Sequence, residues 1–175
     1  MSANHETAEE WMSAWMSVPK APDGRLELGR FADPFYFLGL PISWRPNPDQ
    51  GVDYAPVTVP TGFVTDLASI PRVFWTALPP AGDYAYAAIV HDYLYWMQDR
   101  PREEADQILK FTMQDFSIGG VTVDSIYKAV DLLGGSAWKN NTQLKAQGEK
   151  RILKQWPDDP RVKWADWKKR PDVFF

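Results

Sequence analysis

The chain has 175 residues, of which 45% are hydrophobic and 24% charged; this suits one folded domain and excludes wholesale disorder. It contains no cysteine, which excludes disulfides, thiolate metal sites and cysteine nucleophiles together. A net charge of −4 argues against a nucleic-acid binder that works by bulk charge, no run of 18 apolar residues offers a membrane span, and the acidic start MSANHETAEEWMSAW has no apolar core, so no secretory leader is expected.

Thr7 and Glu10 have capping-box spacing, and Trp11/Trp15 with Met12/Met16 predict an amphipathic helix after them. Pro19, Pro22 and Gly24 then break the chain. Residues 25–65 read as β structure: Arg25–Gly29 alternates, Pro34–Trp44 is aromatic-rich, and Val57–Val64 holds β-branched residues around a Pro60–Gly62 turn. The pattern predicts an antiparallel sheet or meander of about three strands. Helical signals follow. A short helix is expected at Arg72–Leu78 behind Ser69 and Pro71, and a long one from about Asp83 to Gln98. Another runs from Pro101 to about Phe116 and a third from about Thr122 to Leu133, where Gly134-Gly135 reads as a stop. A polar helix over about Trp138–Lys154 completes the series.

The fold class is therefore α+β: a small antiparallel sheet in the N-terminal half packed against a helical hairpin or bundle in the C-terminal half, with extended aromatic-rich termini. Residues 1–24 read as an N-terminal helix and linker, 25–150 as one α+β domain and 151–175 as a C-terminal docking tail. Nine Trp and 15 Pro fit either ordered loops with aromatic packing or a docking surface. On the docking reading, Trp11, Trp15, Trp164, Trp167, Phe174 and Phe175 stay in water in an isolated monomer and bury only in an assembly.

Two histidines are present, and His5 falls in the N-terminal segment, so histidine chemistry in the folded body rests on His91. The long helix carries a bulky stripe, Tyr86, Ile89, Val90, Tyr93, Leu94 and Met97, which reads as its core face. A second stripe, Tyr84, Ala87, Ala88, His91, Asp92 and Tyr95, is small just before the His–Asp pair and leaves room for a close helix or a cleft. Folding the chain about the short link at Asp99–Arg100 brings His91 opposite positions 105–107, where Asp106 sits. A carboxylate there can fix the imidazole tautomer while the other ring nitrogen activates a water. Asp92 points about 100° away around the helix, where it is expected to hold a cation rather than the imidazole. Asp66 is open to three readings: a turn acceptor, a metal ligand or a partner of Arg72. There is no Gly-rich phosphate loop, G-x-S-x-G elbow or HExxH.

The run Val59-Pro60-Thr61-Gly62-Phe63-Val64-Thr65-Asp66-Leu67-Ala68-Ser69-Ile70-Pro71-Arg72, then Trp75, Pro79-Pro80, Gly82, Tyr84, Ala87-Ala88-Ile89-Val90-His91-Asp92-Tyr93-Leu94-Tyr95 and Ala105-Asp106, resembles an uncharacterised family, the domain of unknown function 1353. The resemblance covers roughly residues 50–140 and implies a tailed-phage or prophage context. More locally, His91-Asp92-x-x-Tyr95 followed by Asp106 looks like the helix pair of the phospholipase A2 superfamily. That likeness implies His91 as the base, Asp106 as its orienter, Tyr95 as a supporting hydroxyl and Asp92, with Asp66, as ligands of a calcium cofactor. The framing cysteines and a glycine-rich calcium loop are lacking, so Asp66 and nearby carbonyls have to substitute. The function these resemblances imply is a phage-encoded, calcium-assisted His/Asp hydrolase acting on lipid in the bacterial envelope. The alternatives are a non-catalytic phage particle protein whose aromatic termini dock on other phage structural proteins, and a small phage protein that binds a host factor. The implied location is the phage virion or the host cytoplasm.

Overall fold

A computed structural model of the protein describes residues 22–50, 54–67 and 83–175. The expected helix around Trp11 and Trp15, the Ser69 cap and the helix at Arg72–Leu78 lie outside the described residues.

Among the described residues the first half forms five short strands: β1 (Leu28–Arg30), β2 (Tyr36–Leu38), β3 (Ile42–Trp44), β4 (Val57–Val59) and β5 (Val64–Thr65). They make two antiparallel sheets rather than one meander, ordered β1-β2-β5 and β3-β4. The aromatic stretch Pro34–Trp44 supplies a strand to each, because Pro41 cannot donate a ladder hydrogen bond and parts them. In the three-stranded sheet Leu28 stands opposite Leu38, and Phe37 opposite Val64. Side chains alternate across a strand, so Leu38 enters one core while Phe37 and Val64 enter another. Thr65, one residue on from Val64, is turned back toward the helices.

Three helices follow: α1 (Asp83–Met97), α2 (Arg102–Asp115) and α3 (Gly120–Ala146). The first two match the sequence expectation within two residues at each end. The sheets lie against α1 on one side and α2 and α3 on the other, so α1 is buried nearly all round. Both of its stripes are therefore core, with Ala87, Ala88, Ile89 and Val90 fully enclosed. The bulky stripe opens at its far end, where Tyr93 is half-buried and Met97 is 39% exposed.

The third helix does not stop at Gly134-Gly135 but runs on through Ala146. A helical glycine costs about 1 kcal/mol against alanine, and tertiary contacts offset it. Trp138 packs edge-on against Tyr95 with centroids 5.1 Å apart. Asn141 Nδ2 donates to the Tyr95 carbonyl oxygen at 3.1 Å, and Gln98 Nε2 donates to the Trp138 carbonyl oxygen at 2.8 Å.

The C-terminal segment packs on its own body, which corrects the expectation of water-exposed aromatics for Trp164 and Phe174. Trp164, in the single turn α4 (Trp164–Trp167), is 2% exposed, and Phe174 is 6% exposed. With Leu153 and Val173 they close the second core over Phe31, Phe37 and Val64. Gly62 makes the attachment possible. It has a φ of +84°, and a Cβ there would lie 2.0 Å from the Leu153 carbonyl oxygen. Leu153 N–H donates to the Gly62 carbonyl oxygen at 2.9 Å, and Val64 N–H donates to that of Arg151 at 2.8 Å. Trp167 is half-buried and Phe175 remains 75% exposed. No helix among the described residues is long and apolar enough to cross a membrane.

Candidate functional site

The hairpin of α1 and α2 brings His91 against Asp106, with Nε2 2.9 Å from Oδ1. Both side chains are 1% exposed. The Tyr95 hydroxyl donates to the same Oδ1 at 2.6 Å, one turn along from His91 on the same face of α1. Arg102 holds the other oxygen: its Nη1 donates to Oδ2 at 2.7 Å and to the Asp131 carbonyl oxygen of α3 at 3.1 Å. Asp106 thus receives donors from α1 and α2, and Arg102 ties it to α3. Such a carboxylate is stable in the interior only because both oxygens are engaged.

Burial pushes the His91 pKa below its ordinary value, against the opposing pull of the Asp106 carboxylate. The ring is accordingly neutral near pH 7. A carboxylate accepts but does not donate, so the single ring proton sits on Nε2, and Nδ1 carries a lone pair. That Nδ1 is buried and has no hydrogen-bond partner among the described residues. Burial pushes the Tyr95 hydroxyl well above the usual phenol range, so it stays a donor.

His91 borders a cavity of about 220 Å³ that it shares with Asp66, Asp92 and Tyr95, the face of α3 around Gly134, and Arg151. Gly134 sets how closely α3 approaches: a Cβ there would fall 2.2 Å from the Tyr95 hydroxyl oxygen and 3.4 Å from Arg102 Nη1.

All five side chains expected at the site converge here, with Asp92 and Asp66 in the cavity wall beside the His91–Asp106–Tyr95 cluster. Asp92 accepts a hydrogen bond from the Thr65 hydroxyl, which also accepts the Leu67 N–H at 3.0 Å. Calcium takes six to eight oxygens; among the described residues no group of three or more His, Cys, Asp or Glu side chains is placed to hold a metal ion, and the Arg151 guanidinium shares the wall with Asp66 and Asp92.

Sequence reasoning missed Arg102, Gly134 and Arg151. Arg102 and Asp106 have the i, i+4 spacing of a helical ion pair, a signal that was present. Gly134 carried the opposite signal, a helix stop. Arg151 reaches the cavity only because the C-terminal segment pairs beside Gly62, a contact with no local signature.

Residues 49–130 match the sequence profile of a family described as "Protein of unknown function (DUF1353)". The match spans β4, β5, α1, α2 and the start of α3, and so includes Asp66, His91, Asp92, Tyr95, Arg102 and Asp106, while Gly134 and Arg151 lie beyond it. The chain is also similar to the uncharacterised protein y4jT of Sinorhizobium fredii, at 32% identity over 88 residues. That alignment covers 49% of this chain and 26% of the relative, so the two share about a quarter of the relative's length. No solved structure matches the chain.

Proposed function

We propose that the chain is a hydrolase of carboxylic esters in which His91 is the general base. The observation that carries this reading is a buried, neutral imidazole whose Nδ1 has no hydrogen-bond partner among the described residues, in a histidine that lines a cavity. A structural histidine normally has both nitrogens satisfied, since an unpaired buried polar atom costs about 1–3 kcal/mol. In the proposed reaction, a water in the cavity gives a proton to Nδ1 as its oxygen bonds to the ester carbonyl carbon. The tetrahedral intermediate then collapses, the carbon–alkoxide bond breaks, and Nδ1 returns the proton to the leaving oxygen. The products are one carboxylic acid and one alcohol, and the imidazole is neutral again. Asp106 stabilises the transient imidazolium; Tyr95 and Arg102 are positioning residues that act through Asp106. Lipid esters, the substrates expected from the phospholipase resemblance, fall within this class.

The test is hydrolysis of a panel of chromogenic short-chain esters by wild type, His91→Asn and Asp106→Asn. Wild type turns over at least one ester, His91→Asn loses the activity, and Asp106→Asn, which allows the wrong tautomer, loses about a thousandfold or more. The rate is unchanged by EDTA. If wild type cleaves no ester and Asp106→Asn only lowers stability by about 1–3 kcal/mol, the cluster is a helix clamp and the hydrolase reading falls.

A further inference from the structure

The cavity holds a second group that the reaction above does not use. Arg151 lies in the wall with His91, its side chain 12% exposed. Two contacts fix the guanidinium. It stacks over the Trp96 ring at 4.6 Å, and its Nε donates to Glu149 Oε1 at 3.2 Å. Glu149 is itself shared with Lys168, whose Nζ lies 2.6 Å from the other oxygen, so two cations meet one carboxylate. Arg151 Nη1 and Nη2, the outer prongs of the fork, have no hydrogen bond among the described residues. A guanidinium immobilised on an aromatic face with its prongs open is arranged for bidentate contact with a planar or tetrahedral oxoanion.

Resting on the hydrolase reading, we propose that the substrate carries an anionic carboxylate or phosphate group, which Arg151 binds while the ester bond faces His91. The cavity volume matches a short ester or a headgroup-sized fragment, since ligand sites for larger molecules run from about 300 Å³ upward.

Two measurements on the full chain test this. The first is binding, which needs no turnover: calorimetry with acetate and with inorganic phosphate separates the two anion chemistries, and flotation with phosphatidylglycerol vesicles separates a lipid headgroup from a free anion. At least one of these ligands binds wild type and His91→Asn alike and binds Arg151→Met about tenfold or more weakly. Methionine keeps an apolar stem over Trp96, and Arg151→Lys, with the charge but not the fork, falls between. The second is kinetic, using para-nitrophenyl acetate against the anionic para-nitrophenyl hemisuccinate. Arg151→Met raises KM for the hemisuccinate alone. The anion seat is overturned if none of the three ligands binds wild type, if both Arg151 variants bind as wild type does, or if Arg151→Met lowers kcat equally for both esters, which would place the guanidinium at the reacting carbonyl. Anion binding by a wild type that cleaves no ester would sink the hydrolase reading and leave the anion seat standing.

Discussion

Folding disfavours the charged form of His91, and that one change has two measurable consequences. The ring is desolvated more than the Asp106 carboxylate compensates, so its folded pKa lies below the ordinary value of 6.5. The unfolded chain therefore binds a proton at this position at a pH where the folded chain does not. Stability contributed by the neutral ring is fully present above about pH 6.5 and is lost as pH falls through the folded pKa. Urea midpoints measured between pH 8 and pH 5 should decline more in wild type than in His91→Asn, while His5, present in both, cancels. The ester hydrolysis rate should follow the same group, rising with pH and levelling off with an inflection below 6.5. Equal declines in the two proteins would mean that folding leaves the His91 pKa where it was, and a smaller decline in wild type would mean that folding raises it and that the ring is protonated in the native state. In the latter case the pair would be a buried salt bridge, with no lone pair on Nδ1 to take a proton from water.

At the scale of the element, α3 decides whether the cluster has a cavity beside it, and its two adjacent glycines separate the contributions of backbone and site. A Cβ added at Gly135 would meet nothing within 4 Å, whereas at Gly134 the nearest atom is the Tyr95 hydroxyl oxygen at 2.2 Å. Gly135→Ala should raise stability by about 0.5–1 kcal/mol, the ordinary helical preference for alanine. Gly134→Ala gains the same propensity but has to push α3 away or tear Tyr95 from Asp106, so it should lower both melting temperature and hydrolysis. Matching melting temperatures for the two variants would show that α3 stands further off than the structure has it. The same glycines mark where sequence reasoning stopped. The hairpin was legible because its evidence is local: apolar periodicity, a proline at the first turn of α2, and a link short enough to force His91 opposite Asp106. The continuity of α3 was not legible, because Trp138, Asn141 and Gln98 sustain it through contacts between α1 and α3. The splitting of the strands into two sheets escaped for a like reason, since pairing partners such as Phe37 and Val64 are distant in sequence.

The whole molecule has two cores on opposite faces of the β1-β2-β5 sheet, and the site depends on both. His91, Tyr95 and Asp106 belong to the helical side, but Asp66 follows directly on β5, and Arg151 stands two residues before Leu153, a member of the second core. The C-terminal segment therefore packs on the body and brings Arg151 to the cavity wall rather than standing as a free arm. Phe31 and Phe174 pack around the Trp164 ring at centroid distances of 5.5 Å and 6.0 Å. The Trp164 backbone N–H donates to Asp33 Oδ1 at 2.7 Å, which fastens the segment to the β1–β2 loop. Truncating a large aromatic in such a place removes its buried area and leaves a void, at a cost of about 3–5 kcal/mol. Trp164→Ala should lower stability by that amount in urea denaturation. Under mild proteolysis it should be cut within residues 151–175, where wild type is protected. Arg151 would then lose its fixed position, so anion binding should weaken along with the cut, while the His91–Asp106 hairpin, in the other core, keeps its helical signal. Loss of all helical signal would instead show that the two cores fold as one cooperative unit. A wild type already cut in this segment, with Trp164→Ala no less stable, would mean that the C-terminus leaves the body in solution and that its aromatics are open to a partner after all.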